Sequence, residues 1–124
     1  MKKIIFPQEI EVWYILPTIR KKIALKLVEK GLQQKKVAEI MGITPAAVCQ
    51  YKSEKRAKKE IFDSEMELEL IKSVKNIIKD HYQLAEEIIR LNGLMKKKGI
   101  VCKLYSEICA LKNCKGACSY CNKK

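Results

Sequence analysis

The stretch QQKKVAEIMGITPAAVCQYK, residues 33–52, constrains the fold of this chain more than any other. Ala38 is small enough to let a second helix pack closely, and Gly42 stands where a helix ends and the chain needs a left-handed residue. Thr44 is a favoured N-cap and Pro45 suits the first helical position, because its missing N–H would have no partner there. The spacing therefore predicts a helix-turn-helix, with an ordinary helical hairpin as the alternative. Its inner surface is expected to contain Val37, Ile40, Ile43, Val48 and Tyr51.

The charge of the chain is unevenly distributed. The formal net charge is +12, from 26 basic and 14 acidic residues. Residues 1–60 carry a net +8, residues 61–92 a net −3 and residues 93–124 a net +7. A basic head around a helix-turn-helix favours a polyanionic partner, and duplex DNA is the obvious one. A protein that is lysine-rich throughout is the alternative, but it would not explain the near-neutral middle.

Two further helices are predicted to precede the motif. Residues 7–16 have an ambiguous period, since a strand would also accommodate their aromatic and β-branched side chains, and we prefer a helix. In that helix Trp13 and Leu16 are expected to cover the core of the head. The next helix is predicted to begin at Pro17 and to end at Gly31. Its apolar face is expected to be formed by Ile19, Ile23, Ala24, Leu27 and Val28.

Residues 61–93 are predicted to form a helical segment with a two-sided apolar stripe. The stripe is interrupted at residues 80–82, so the segment is either one long helix with a polar break or two consecutive helices. Asp63 or Ser64 would cap its start, and residues 92–93 would end it. Such a stripe has more apolar surface than is needed to cover the core of one small head. We therefore interpret the segment as a dimerisation element, and the alternative is that it packs back onto its own head.

The tail, residues 94–124, begins with a basic loop and a short helix predicted over residues 100–112, and it is rich in cysteine. In a reducing cytosol its cysteines favour metal binding or redox chemistry over structural disulfides. Neighbouring lysines favour the thiolate form. An iron–sulfur cluster, of the 4Fe–4S type, is the preferred interpretation, while zinc and a thiol–disulfide switch remain open. The candidate ligands are Cys109, Cys114, Cys118 and Cys121, with Cys102 as an alternative fourth ligand.

The segment LPTIRKKIALKLVEKGLQQKKVAEIMGITPAAVCQY, residues 16–51, resembles the N-terminal domain of archaeal transcriptional regulators of the Cro/lambda-repressor (XRE-like) helix-turn-helix type. The resemblance covers roughly residues 7–56 and includes the L-P-x-I-R sequence at Leu16–Arg20. It implies a five-helix DNA-binding head, dimeric binding to a pseudo-palindromic operator and a metal- or redox-sensing tail. The predicted architecture is thus all-α, with a lambda-repressor-like head (1–60), a helical dimerisation segment (61–93) and a cluster-binding tail (94–124).

In a head of this type, the N-terminal half of the second motif helix enters the major groove. Gln50 can pair bidentately with adenine, and the side chains of Pro45 and Ala46 can touch thymine methyl groups. The predicted base-facing residues are Thr44, Pro45, Ala46, Cys49 and Gln50. The predicted phosphate contacts are Gln33, Gln34, Lys35, Lys52, Ser53, Lys55 and Arg56.

The predicted function is a homodimeric, sequence-specific transcriptional regulator that binds a double-stranded DNA operator and responds to redox state, oxygen or iron through its cluster. The alternative is a zinc-stabilised interaction module or adaptor whose helix-turn-helix does not read DNA. The sequence contains no phosphate-binding loop and no nucleophile–base pair, so we expect neither an enzyme nor a small-molecule substrate. It shows no signal peptide and no apolar run long enough to span a membrane, and we expect a cytoplasmic protein.

Overall fold

The computed structural model describes residues 6–53 and 62–108, and every regular element within these ranges is helical. The all-α prediction is therefore confirmed for the described part of the chain. The predicted helix over 100–112 is present as far as residue 108, beyond which the prediction lies outside the described residues. The elements are α1 (Pro7–Ile10), a π-helical turn (Glu11–Ile15), α2 (Leu16–Glu29), α3 (Gln34–Met41), α4 (Pro45–Ser53), α5 (Ser64–Lys79), a 3₁₀ turn (His81–Gln83), α6 (Leu84–Lys97) and α7 (Ile100–Ile108).

The first two predicted helices join without a break: α2 begins at Leu16, one residue before the predicted start at Pro17, and directly follows the π-helical turn. The N–H of Leu16 donates to the carbonyl of Glu11, five residues back, which is the hydrogen bond of a π-helical turn. Proline has no N–H, and its ring clashes with the carbonyl four residues earlier in a regular α-helix. Because the wider turn lies directly before Pro17, the chain accommodates the proline without ending the helix.

This wider turn also changes which side chains of the first helix are buried. Ile10 and Ile15, five residues apart, are both fully buried, whereas Trp13 is 47% exposed and Leu16 is half-buried. The expectation that Trp13 covers the core is therefore wrong. The π-helical turn shifts the helical register, so the inward side of this region follows a spacing of five residues rather than three or four.

One hydrophobic core joins the head to the segment that follows it. The apolar face of α2 is buried as predicted, through Ile19, Ile23, Ala24 and Leu27, with Val28 partly buried. The same core receives side chains from α5, α6 and α7, namely Met66, Leu70, Val74, Ile77, Leu91, Met95, Val101 and Leu104. One side of the predicted stripe therefore packs onto its own head, as the alternative interpretation held. Its other side leaves Leu68, Ile78 and Ile89 exposed, and dimerisation stays a prediction.

The ends of α5 lie where the sequence predicts them, while α6 ends later than predicted. The Asp63 carboxylate accepts the N–H of Met66 at 2.9 Å and caps α5, and the Asp80 carboxylate accepts the N–H of Tyr82 at 3.1 Å where the chain breaks into a second helix. The predicted helix end at residues 92–93 is wrong, because α6 continues to Lys97 and the left-handed residue is Gly99, with a φ of 80°. Packing on both sides of residue 93 outweighs the roughly 1 kcal/mol that glycine costs within a helix.

A buried polar network fastens α5 to α6 around Glu87, which is 6% exposed. Its carboxylate accepts from the hydroxyl of Ser73 at 2.6 Å, from Nδ2 of Asn76 at 3.0 Å and from Nε of Arg90 at 3.1 Å. Arg90 also donates through Nη1 to Glu69 at 2.6 Å. Burial acts to raise the pKa of Glu87, but hydrogen bonds from Ser73, Asn76 and Arg90 outweigh it and hold that pKa below its ordinary value. The hydrogen bond from Arg90 likewise lowers the pKa of Glu69.

Because of this network, we expect the free energy of unfolding to decrease in acid. We also expect one substitution within the network to make that decrease smaller. Because the folded-state pKa values of Glu87 and Glu69 are lowered, their stabilisation is fully present above the ordinary carboxyl pKa of 4.5 and is lost as the pH falls through the folded values. We expect Glu87→Gln to cost about 1–3 kcal/mol at pH 7 and to flatten the acid decline. Urea unfolding between neutral pH and strong acid measures both effects.

Glu86 provides the matched control for this substitution, since it is the adjacent residue and is exposed. Glu86→Gln should keep both the neutral stability and the acid decline of the unsubstituted protein. Parallel acid profiles for Glu87→Gln and the unsubstituted protein would contradict the assignment.

Candidate nucleic-acid interface

The turn between α3 and α4 has the geometry that the sequence predicts. Gly42 is left-handed, with a φ of 70°. Its N–H donates to the carbonyl of Glu39 at 3.3 Å, and the N–H of Ile43 donates to the carbonyl of Ala38 at 3.0 Å, so two of the last four carbonyls of α3 are satisfied at the turn. Ala38 is 3% exposed and Val48 is fully buried. The side of α4 that carries Val48 is therefore fixed against the rest of the domain.

The start of α4 is capped by a side chain, as predicted. The N–H of Ala47 donates to Oγ1 of Thr44 at 3.1 Å, and Pro45 is the first residue of the helix. The Thr44 carbonyl accepts from Ala47 and Val48 at 3.0 and 3.3 Å. These bonds fix where α4 begins, while the packing of Val48 determines which of its residues face solvent.

One continuous face of α4 is exposed to solvent. Residues spaced by four and then three positions lie on one side of a helix, and α4 carries two adjacent rows of this kind. The exposed residues of these rows are Pro45, Cys49 and Lys52 in one, and Ala46, Gln50 and Ser53 in the other. The hydroxyl of Ser53 donates to the carbonyl of Gln50 at 3.2 Å. All five predicted base-facing residues, Thr44 included, are therefore exposed and lie together.

The predicted phosphate contacts divide between the start of α3 and the end of α4. Gln33 and Lys35 are exposed at the start of α3, while Gln34 is half-buried. Gln33 occupies the N-cap position, and its side chain makes no capping hydrogen bond, so the first N–H groups of α3 are not capped by that side chain. Such groups favour a phosphate. Lys52 and Ser53 are exposed, and the predictions for Lys55 and Arg56 fall outside the described residues.

The predicted metal ligands lie almost entirely outside the described residues. Cys109, Cys114, Cys118 and Cys121 fall in that part of the chain, and Cys102 is half-buried in α7. Within residues 6–53 and 62–108, no three histidine, cysteine or acidic side chains come together as a metal site. Cys49 is exposed on α4. Metal binding by the tail therefore stays a prediction.

The structure also contains a basic groove that the sequence reasoning missed. Its lining is formed by Lys30 at the end of α2 and by Lys72, Lys75, Asn76, Ile78 and Lys79 of α5. The spacing of the three α5 lysines was visible in the sequence as a helical row. Their alignment with Lys30 depends on the packing of α2 against α5, which no local pattern reveals.

Comparison with known proteins gives no relative from which a function could be transferred. No family model, curated protein or solved structure matches the chain. None of the helices in the described ranges is long and apolar enough to cross a membrane. The residues of this chain are therefore the basis for inferring its function.

Proposed function

We propose that this chain is a sequence-specific regulator of transcription that binds double-stranded DNA, with α3 and α4 as its helix-turn-helix. The observation that carries the proposal is the exposed face of α4, which is free from Thr44 to Ser53 while Val48 is fully buried on the opposite side. The nine residues of α4 form a rod roughly 14 Å long. A helix presented in this way fits the major groove, which is about 12 Å wide.

The side chains of this face support modest discrimination between bases, and the charge around it supports strong attraction to the phosphate backbone of DNA. Gln50 is the side chain best suited to bidentate pairing, with adenine as its partner. Ala46 and Pro45 offer small apolar contacts of the kind that thymine methyl groups accept. Residues 1–60 carry a net +8, and this charge supports binding to phosphates at both ends of the motif.

Two substitutions on α4 separate base reading from backbone contact. Gln50→Ala should relax the choice of base at one position of the site and cost about 1–3 kcal/mol there, because a bidentate pair is lost. Lys52→Ala should weaken binding to all sequences alike and reduce the salt slope of the affinity by about one, because one phosphate contact is lost. Fluorescence anisotropy on an operator and its single-base variants, over a range of salt concentrations, measures both. Equal losses from the two substitutions on every duplex would contradict these roles.

The proposed regulator acts as a homodimer on two half-sites about one helical turn apart. Leu68 and Ile89 are 62% and 70% exposed on α5 and α6, and they provide apolar surface for self-association. Because the two α4 helices must match the spacing of the half-sites, the relative position of the heads contributes to selectivity.

We further propose that the tail holds an iron–sulfur cluster through Cys109, Cys114, Cys118 and Cys121, with Cys102 as the alternative fourth ligand and zinc as the alternative metal. Thiolates are the ligands that these clusters prefer, and a bound cluster would supply redox or oxygen sensitivity. Protein purified without oxygen should contain stoichiometric iron and sulfide. Its operator affinity should change when the metal is removed. A colourless protein with stoichiometric zinc, or an affinity that does not change, would contradict this part of the proposal.

A further inference from the structure

The basic groove between α2 and α5, lined by Lys30, Lys72, Lys75 and Lys79, has the properties of a second polyanion-binding surface. All four lysines are exposed, and the apolar side chain of Ile78, which is 38% exposed, lies among them. Clustering four ammonium groups at one place costs electrostatic free energy unless an anion lies nearby. An anion beside these lysines would therefore lower the electrostatic free energy of the domain.

The acidic half of α5 neutralises little of the groove, because its carboxylates pair mainly with cations elsewhere in the domain. Glu65 lies 2.6 Å from Nζ of Lys98, and Glu67 lies 2.9 Å from Nζ of Lys22. Glu69 lies 2.6 Å from Nη1 of Arg90. Each glutamate of α5 therefore has a cation from another helix or loop as its partner.

In contrast to the glutamates of α5, most lysines of the groove lack an ion-pair partner among the described residues. Lys72 shares Glu69 with Arg90 at 3.4 Å. Within the described part of the chain, Lys30, Lys75 and Lys79 take part in no ion pair. Of the acidic residues next to them in sequence, Glu29 lies 3.2 Å from Lys26, while Asp80 accepts the N–H of Tyr82 and forms no ion pair with these lysines. Among the described residues, three of the four groove lysines are thus left without an ion-pair partner.

The position of the groove connects it to the proposed DNA-binding face. Lys30 is the C-cap of α2, and only two residues separate it from Gln33, the first of the predicted phosphate contacts. Three steps of extended chain span at most about 10 Å, so the backbone of Lys30 lies within about 10 Å of the start of α3. A duplex that contacts the start of α3 therefore passes close to Lys30.

We propose that this groove binds the phosphate backbone of the duplex that flanks the bases read by α4. Along α5, Lys72, Lys75 and Lys79 follow one another at about 4.5 and 6 Å, which allows each ammonium group to contact a separate phosphate. Lysine acts as a point charge on phosphate without sequence preference. The inference rests on the proposed function and extends the contacted duplex beyond the recognition helix.

The test compares two duplexes and two sets of variants by anisotropy titration over a range of salt. One duplex carries the half-site alone, and the other adds about one helical turn of flanking sequence, roughly 10 base pairs. The variants are Lys75→Gln, Lys79→Gln and their double, with Lys97→Gln on α6 as the exposed control. On the long duplex, the salt slope should become shallower by about one for each groove substitution and by about two for the double variant. On the short duplex, and with Lys97→Gln on either duplex, the slope should not change.

Two results would overturn the inference, and they differ in whether the proposed function also fails. If the protein binds its operator specifically but the double variant keeps the full salt slope on the long duplex, the groove does not contact DNA and the proposed function stands. If the unsubstituted protein selects no DNA sequence at all, the proposed function and the groove contact both fail. Thermal melting of each variant verifies its fold, since exposed substitutions should shift stability by no more than about 0.5 kcal/mol.

Discussion

Replacing Leu70 by alanine should destabilise the whole described domain, including α3 and α4. Leu70 lies on α5, is 1% exposed and belongs to the same core as Ile23 and Leu27 of α2. Truncating a buried leucine costs about 2–5 kcal/mol, because apolar contacts are lost and a cavity remains. For a domain of this size we expect the melting temperature to fall by about 10–20 °C.

Tyr82→Ala is the control for this substitution, since it truncates a large side chain that is 91% exposed. It should change the free energy of unfolding by no more than about 0.5 kcal/mol. Unfolding is followed by circular dichroism for all helices and by the fluorescence of Trp13, the single tryptophan, for the first helix. We expect the two signals to change together. A Trp13 transition that Leu70→Ala leaves unchanged would show that the head folds independently of α5.

Replacing Ala46 by glutamate should abolish most of the DNA affinity without affecting the fold. Ala46 is exposed at the second position of α4, on the face proposed to enter the major groove. A carboxylate about 5 Å from a phosphate is repelled by about 3 kcal/mol at an effective dielectric constant of 20. That corresponds to a loss of affinity of roughly 100-fold.

Ala85→Glu is the control for Ala46→Glu, and it matches the test substitution closely. Ala85 is also exposed and also occupies the second position of its helix, α6. The two substitutions therefore change the net charge equally and interact similarly with a helix dipole. Anisotropy titration with the same duplex should show about a twofold change at most for Ala85→Glu. Equal losses from both variants would mean that net charge, and not α4, determines binding.

The parts of the fold that could be predicted from the sequence depend on interactions between near neighbours. The turn glycine Gly42, the N-cap Thr44 and the first-position Pro45 act within one or two helical turns. For that reason the ends of α3 and α4 and the exposed face of α4 follow from local rules. The cap at Asp63 and the break at Asp80 were predictable for the same reason.

The parts that could not be predicted depend on contacts between distant residues. The π-helical turn before Pro17 keeps the first helix continuous and places Ile10 and Ile15 in the core, which a fixed helical period cannot anticipate. Gly93 lies within α6 because residues on both sides of it pack against the domain. The two-sided stripe of residues 61–93 suggested a partner, but its period could not reveal that the partner of one side is α2 of the same chain.

The same limit applies to the candidate site. The face of α4 was predictable because a single helix defines it. The basic groove was not, because Lys30 and Lys75 are 45 positions apart in the sequence and meet only through the packing of α2 on α5. Intramolecular ion pairs that neutralise the glutamates of α5 are equally invisible to a sequence pattern.

Selection from a library of random duplexes tests most directly whether α4 reads DNA. The unsubstituted protein and Gln50→Ala are used in parallel, and the enriched duplexes are sequenced. We predict a recurrent motif with an adenine at one strongly preferred position, in two copies about one helical turn apart, and we predict that Gln50→Ala loses the preference at that position alone. A library that is not enriched in any motif, or a motif that Gln50→Ala reproduces unchanged, would contradict the claim.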